Sequence, residues 1–490
     1  MTTDTALKPL GDAMLAEIDA TSCTPPSYDR SALPTRVLHI GPGAFFRAHQ
    51  MDYYNRLNAN EPKWGVTAVA LRSKGTSEKL NAQDGFYTLI KLDRETSCEI
   101  IAALKGVKFR DDASAFEPFT TEDLKLVTLT VTEKGYCLNG EGELDETHTD
   151  IAHDLKQVDT PVSAIGWLTK GLALRRESGL GKLVVLSCDN LPGNGEKLEA
   201  AVLRFADLID ASLSSWIRTN VHFPSSMVDS ITPATDDALI QRIQTECGYS
   251  DAWPIQREAF TSWVIENTGA SVIKELADAG VLLTRDVSRH EKAKLWLLNG
   301  AHSTLAYLGL AYGHQSVAET MENAELRSLV RAMMRDEIMP ALSPPDGMDL
   351  EDYIEDLLER FANPAIVHKL SQIAWDGSKK LPIRLLNTIE TNRAAGRSIE
   401  KLGFGVAAWM RFIVRMSRAE AQITDPLANQ LLALGKIAKD ETDDVNTFLA
   451  LDEVFNGTLC NDDEFVAAVK QAYTDIIITE QKSLRGGSGI

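Results

Sequence analysis

Between residues 36 and 190 the chain alternates short apolar runs with amphipathic stretches. RVLHI, GVTAVAL, FYTLIKL, EIIAALKGVKF, LKLVTLTVTE and LVVLSCDN are strand-like. Segments of helical period fall between several of them, SAIGWLTKGLALRRES for example. Such alternation predicts an α/β unit built on a mostly parallel sheet. From about Ser288 onward strand-like runs nearly vanish. AELRSLVRAMMRDEIMPAL, LEDYIEDLLERFA and GFGVAAWMRFIVRM carry apolar residues at helical spacing. A boundary near 285 predicts an α/β domain over 1–285 with a loop-rich N-terminal extension, and a mostly α-helical domain over 286–490. The tail SLRGGSGI reads as a loose end.

The first predicted strand runs into Gly41-Pro42-Gly43, and a helix opens after it. Glycines at such a turn let a pyrophosphate approach the N–H groups of the helix start. The dinucleotide fingerprint asks for a third glycine, and Phe46 stands there instead. The acidic residue that would hold the adenosine ribose belongs at the end of the second strand. GVTAVALRSK places Arg72, Ser73 and Lys74 there. An arginine at that point accepts a 2′-phosphate that a carboxylate would repel, so NADP stays open beside NAD.

KLWLLNGAHSTLAYLG, residues 294–309, reads as a buried helix, yet it holds Lys294, Asn299 and His302. On an α-helical wheel with Lys294 at the origin, His302 falls at about 80° and Asn299 at about 140°. The three polar groups share one arc with Leu295 and Leu298. Burying an amine without a use is costly, and burial lowers a lysine toward neutrality. Such an amine exchanges protons with a substrate hydroxyl, and an amide beside it steadies a developing alkoxide. The bland alternative is a snorkelling lysine with a satisfied core asparagine and histidine. Ser288-Arg-His-Glu291 fits a helix-capping box; Glu291 also lies one turn before Lys294, where it could relay protons.

Composition narrows the classes. The chain has 490 residues, 44% hydrophobic and 24% charged, with a net charge of −20, as in ordinary globular proteins. With no long basic run, a nucleic-acid surface is not expected. No apolar stretch approaches a membrane span, and the N-terminus lacks the pattern of a signal peptide. Six scattered cysteines without a CxxC pair predict a reduced, cytoplasmic protein with no disulfide framework and no metal site.

Taken together, HIGPGAFFRAH, LTVTEKGY, LSCDNLPGNG, FPSSMVDSITPAT, WVIEN, KLWLLNGAH and QIAWDGSKKLPIR resemble the polyol-specific long-chain dehydrogenase/reductase family. That family includes mannitol 2-dehydrogenase and fructuronate reductase, and the likeness runs from about 35 to 460. It implies a Rossmann-type N-terminal domain, a helical C-terminal domain, metal-independent catalysis and NAD as cofactor. The family's turn reads GxGAFxR, which places Gly41, Gly43, Ala44, Phe45 and Arg47 at the cofactor. Residue by residue, the resemblance makes Lys294 the general acid/base and Asn190 and Asn299 the alkoxide-stabilising amides. It makes His302 the residue orienting the substrate oxygen and Glu291 the proton relay. Asp229 and Lys380 fall at substrate-binding positions. One departure is Ser230, where many relatives have arginine after MVD.

The mannitol enzymes carry an arginine eight residues before the lysine matched by Lys380 and an aromatic residue four beyond it. Here Gln372 and Arg384 stand at those places. On a helix Lys380 and Arg384 would be neighbours, and a fork-shaped guanidinium suits a carboxylate. The expected reaction is therefore reversible reduction of a keto-uronate, D-fructuronate to D-mannonate. A mannitol-type polyol dehydrogenase is the alternative, and a nucleotide-binding sensor without catalysis is a third reading. The expected partner is a small sugar acid or polyol, with the chain a monomer or small homo-oligomer and no membrane or nucleic acid involved.

Overall fold

The computed structural model describes residues 7–455 and 457–486. The chain divides into two compact units, Met1–Ser288 and Arg289–Ile490.

The first unit is built on six parallel strands: β1 (Thr35–Ile40), β2 (Gly65–Ala70), β3 (Leu104–Phe109), β4 (Leu126–Leu129), β5 (Leu183–Ser187) and β6 (Val221–His222). Their order is β3-β2-β1-β4-β5-β6, and every neighbouring pair is parallel. The order reverses beside β1, and ligands bind doubly wound sheets at such a switch point, at the carboxyl ends of the strands. The central strands β1, β2, β4 and β5 read as mostly apolar runs because both faces are covered. Val37 packs on one side with Met51, Tyr54 and Leu57 of the helix Gln50–Asn60. Leu38 and Ile40 pack on the other with Ile165 and Leu168 of the helix Ala164–Glu177. Each such buried aliphatic side chain contributes about 1.5–3 kcal/mol.

Two expected strands sit elsewhere. EIIAALKGVKF divides into Ser97–Ile101 and β3, and Tyr87–Leu92 pairs antiparallel with Ser97–Ile101. Ile255–Glu258 completes that small sheet. A third sheet joins Ser226–Asp229, Ser262–Glu266 and Leu282–Thr284.

The expectation of wholly reduced cysteines is corrected. Cys23 and Cys98 form a disulfide across 75 positions of sequence, tying the N-terminal extension to the hairpin. Cys247 Sγ lies 3.9 Å from Cys98 Sγ. A pairing brought about by folding of distant segments leaves no local spacing to read.

The second unit is helical, with one isolated β-bridge, Ser316 to Lys369, among its described residues. Helix Gly300–Ala311 packs on Glu400–Arg418, where a Cβ on Gly405 would come 2.6 Å from Thr304 Oγ1. Three stretches are π-helical: Lys294–Asn299, Met333–Ile338 and Pro382–Leu386. Such segments are rare and concentrate at functional sites. The last helix, Asp463–Gly486, runs into the tail expected to be loose; residues 487–490 of that tail lie outside the described residues.

Candidate active site

In the first unit the glycine turn follows β1. Gly41 has φ +91°, and a Cβ there would meet the Thr130 carbonyl oxygen at 2.3 Å. Only glycine fits, because the turn is pressed against the end of β4. His39 fixes this arrangement. Its Nε2 faces the Gly41 carbonyl at 3.1 Å and Thr130 Oγ1 at 2.9 Å, and its Nδ1 meets Thr128 Oγ1 at 2.8 Å. Burial pulls the imidazole down to about 3, so it is a neutral structural bracket. Phe46, at the place of the third glycine, is fully buried and stacks on His39 at 3.5 Å. The substitution of phenylalanine for glycine is thus a packing choice within the core.

The turn opens a cavity of about 260 Å³ lined by Gly41, Pro42, Gly43, Arg72, Ser73 and Thr132 among others. Arg47 is buried away from the lining. Its guanidinium lies 4.0 Å over Trp253 and donates to the Trp253 carbonyl at 2.6 Å. Ala44 and Phe45 lie on the short helix Ala44–Ala48 and are absent from the lining. Arg72 is at the rim, mostly exposed, and donates to Asp150 at 2.5 Å.

A Gly41→Ala variant is expected to lose about 1–3 kcal/mol of stability, the cost of a forced left-handed backbone, and to bind NADH at least about tenfold more weakly. Thermal unfolding and fluorescence titration measure the two. Wild-type values in both would show that the turn has room to spare.

The loop after β5 carries Asn190. Its neighbour Asp189 accepts from the Val131 and Thr132 N–H groups at 2.9 and 3.0 Å and from the Tyr136 hydroxyl at 2.7 Å. One carboxylate therefore ties the ends of β4 and β5 together. Burial raises it above the usual carboxyl range while these donors pull the other way. Buried Asn194 continues the tie, with Nδ2 on the Asp189 carbonyl (3.1 Å) and the Ser226 carbonyl (2.8 Å). Asp229 is buried at the end of Ser226–Asp229, opposite Ser262. Sequence reasoning named Asn190 and Asp229 and missed His39, Asp189 and Asn194, which hold their loops. The available signal was a carboxylate directly beside the predicted amide.

In the second unit the expected α-helical wheel needs correction. Residues Lys294–Asn299 are π-helical, and the Gly300 N–H reaches back five residues to the Leu295 carbonyl. A π-turn absorbs a residue without advancing the face. Subtracting one residue's rotation, about 100°, moves Asn299 from about 140° to about 40° and His302 from about 80° to about −20°. The polar groups thus converge on Lys294 more closely than an α-helix allows. The capping box is also corrected. The helix starts at Val287, and Asp286 Oδ1 accepts from the Ser288 N–H (3.1 Å) and hydroxyl (2.5 Å). Ser288 is therefore inside the helix and its hydroxyl is engaged as a donor, which leaves Asp286 in the capping role.

Lys294 and Asn299 are half-buried and His302 is buried. His302 stacks on Phe361 and meets His368 edge-on, both at 4.7 Å. Burial, then His368, Arg384 and Arg360, push its imidazole well below its ordinary value. Arg384 Nη1 donates to Ser303 Oγ at 3.1 Å and to the Asn299 carbonyl at 3.4 Å, and its buried Nε has no partner. The backbones meet here too, since a Cβ on Gly300 would lie 3.0 Å from the Arg384 carbonyl oxygen. Lys380 donates to the Ile373 carbonyl at 3.2 Å, and burial followed by the Arg384 charge lowers its amine. Lys380 and Arg384 thus sense each other although a π-segment separates them from ideal α-spacing. Gln372 is exposed on the short helix Leu370–Ile373.

The model of the mannitol dehydrogenase Rossmann domain matches residues 35–276, and that of the mannitol dehydrogenase C-terminal domain matches residues 286–477. This chain belongs to the mannitol dehydrogenase family. Within that family it is 38% identical over 461 residues to an uncharacterized oxidoreductase, YeiQ, of Escherichia coli, covering 92% of this chain and 94% of that one. It is 37% identical over 462 residues to the D-mannonate oxidoreductase of the same organism, covering 92% and 95%. The structure of Pseudomonas fluorescens mannitol 2-dehydrogenase, a ternary complex with NAD and D-mannitol, matches with TM-score 0.79 and 33% identity over 98% of this chain and 100% of that one. The resemblance read from the motifs is thereby shown, and with it the oxidoreductase class of a mannitol dehydrogenase family member.

Two clusters among the described residues have the proximity of metal ligands, Cys23/Cys98/Cys247 and Cys137/His148/Asp150. Neither contains Lys294, Asn299 or His302. Among the described residues no helix is long and apolar enough to cross a membrane.

Proposed function

We propose that this chain is a metal-independent, NAD-dependent reductase that interconverts D-fructuronate and D-mannonate. The observation that carries the substrate class is Arg384, a half-buried arginine whose guanidinium donates to a hydroxyl and a carbonyl and keeps a buried, unused Nε. It sits among His302, His368 and Lys380. A concentration of positive charge around a neutral imidazole suits a substrate carboxylate better than a polyol hydroxyl. The 37% identity to a D-mannonate oxidoreductase supports the same reading.

The residues at the glycine turn fit a dinucleotide. The Gly41 position has no room for a side chain on the β4 side, and the cavity opens beside Gly43 and Arg72. NADH bound there supplies the hydride for the substrate carbonyl carbon. Lys294 Nζ gives its proton to the carbonyl oxygen as the alkoxide develops, and Glu291 restores that proton from solvent. Asn299 donates a hydrogen bond to the oxygen, worth most as its charge grows; the family resemblance gives Asn190 the same role. His302, neutral at working pH, orients the same oxygen. Arg384 and Lys380 hold the acid end, and the family resemblance gives Asp229 a part in substrate binding. In the oxidative direction each proton step reverses.

The likeness to a mannitol 2-dehydrogenase in complex with D-mannitol supports the polyol reading as second. A steady-state panel of fructuronate, tagaturonate and fructose, each with NADH and NADPH, decides. Fructuronate with NADH is expected to give the highest kcat/KM, at least about tenfold above fructose, since a charge-assisted contact is worth about that factor or more. Fructose as the best substrate would replace the uronate reading with the polyol one.

A further inference from the structure

The second strand of a dinucleotide-binding sheet ordinarily ends in a carboxylate that takes the adenosine ribose and repels a 2′-phosphate. Here β2 is followed by Leu71 and then Arg72-Ser73-Lys74. Left to itself this sequence favours the phosphate. Arg72 offers a guanidinium, and the helix Lys74–Asn81 begins there with Ser73 as its cap, Oγ accepting from the Gly75 N–H. Arg72 and Ser73 line the cavity beside the glycine turn.

The structure does not leave the guanidinium to itself. Asp150 Oδ2 accepts from Arg72 Nη2 at 2.5 Å. The Asp150 side chain is 18% exposed and that of Arg72 65% exposed, so the carboxylate is the fixed partner and the arginine the one drawn to it. Asp150 is held from behind. It lies in the first turn of the helix Thr149–Asp154, and its N–H donates to His148 Nδ1 at 3.2 Å. The side-chain ligand atoms of Cys137, His148 and Asp150 lie within 4.8 Å of one another. A carboxylate has therefore been brought to the rim of the ribose site from a segment 78 positions away from the arginine.

We infer that Asp150 sets the preference for NAD over NADP, by occupying Arg72 and placing a negative charge where the 2′-phosphate would sit. This rests on the reading of the cavity as the dinucleotide site. A 2′-phosphate carries about two negative charges, so it must both displace Asp150 from Arg72 and approach the displaced carboxylate. A ribose 2′-hydroxyl faces no such penalty and gains an acceptor. The missing acidic residue at the end of β2 is thus replaced in space by one from a different element.

The test is fluorescence titration of NADH and NADPH, without sugar, on the full-length protein and on Asp150→Ala, Asp150→Asn, Arg72→Ala and the double variant Asp150→Ala/Arg72→Ala. Wild type is expected to bind NADH the more tightly. Asp150→Ala should shift the NADPH-to-NADH affinity ratio toward NADPH about ten- to a hundredfold, the worth of a charge-assisted hydrogen bond to phosphate. Asp150→Asn, which keeps the shape and loses the charge, should move in the same direction. Adding Arg72→Ala should cancel the gain. If both Asp150 variants, checked for wild-type melting, keep the ratio within about twofold, or if the double variant retains the gain, the inference is wrong. Because the titration needs no turnover, a different sugar substrate would change the panel above and leave this ratio untouched.

Discussion

A Lys294→Ala variant is expected to lose turnover of fructuronate by about 10²- to 10⁴-fold, the usual share of a positioned general acid/base. NADH affinity should stay within about twofold, because the dinucleotide cavity is lined by residues of the Met1–Ser288 unit. Unfolding temperature should also change little: the lysine is half-buried at the start of the π-segment, and alanine is a good helix former. The measurement is kcat across pH, alongside NADH titration and a thermal melt. A variant with more than about a tenth of wild-type turnover at its best pH would remove Lys294 from the proton step.

The second large effect is expected at Arg384. Arg384→Ala should lower kcat/KM for fructuronate about ten- to a hundredfold and leave any fructose reduction nearly unchanged. Arg384 also donates to the Asn299 carbonyl and the Ser303 hydroxyl, so its loss has a second route to harm, through Asn299. The two routes separate by substrate. Loss of carboxylate binding spares fructose, whereas displacement of Asn299 damages both reactions alike. Arg384→Lys should recover part of the fructuronate activity, since a point charge cannot reproduce the two-pronged donor. Equal losses on both sugars would make Arg384 a structural residue and leave the uronate reading resting on sequence likeness.

Much of the fold was legible because its signals are local. The runs that became β1, β2, β4 and β5 are mostly apolar, as strands covered on both faces tend to be. The helices of the second unit repeat their apolar residues at 3.6. The glycine turn was legible because Gly41 answers to a steric demand that only glycine meets. What escaped depends on contacts between distant segments. EIIAALKGVKF is one apolar run, yet its halves serve different sheets, a division made by partners and not by composition. His39 looked like any strand residue, and its role follows from Thr128, Thr130 and Gly41 arriving around it. The Ser288 capping box had the right letters, but Asp286 sat two positions earlier and took the Ser288 hydroxyl as a donor. The arc shared by Lys294, Asn299 and His302 was visible in the sequence, whereas its tightening by a π-turn was not, because i to i+5 closure has no compositional signature comparable to that of a cap or a turn.

That π-turn bears on how chains of this kind are compared. Lys294–Asn299 occupies one more residue than the α-helical span it replaces. Pairing it by count with an uninterrupted α-helix goes out of step by one position after Asn299. Every pairing downstream would then look like a substitution when the difference is a single insertion. Deleting one residue from Trp296–Leu298 is the reverse operation. It would restore α-helical closure, keep Leu305 and Tyr307 on a continuous helix, and leave Asn299 at about 40° and His302 at about −20° from Lys294, the faces they already hold. A gap of one within this stretch therefore leaves the polar groups facing as they do now, and it counts for less than a change of Lys294, Asn299 or His302.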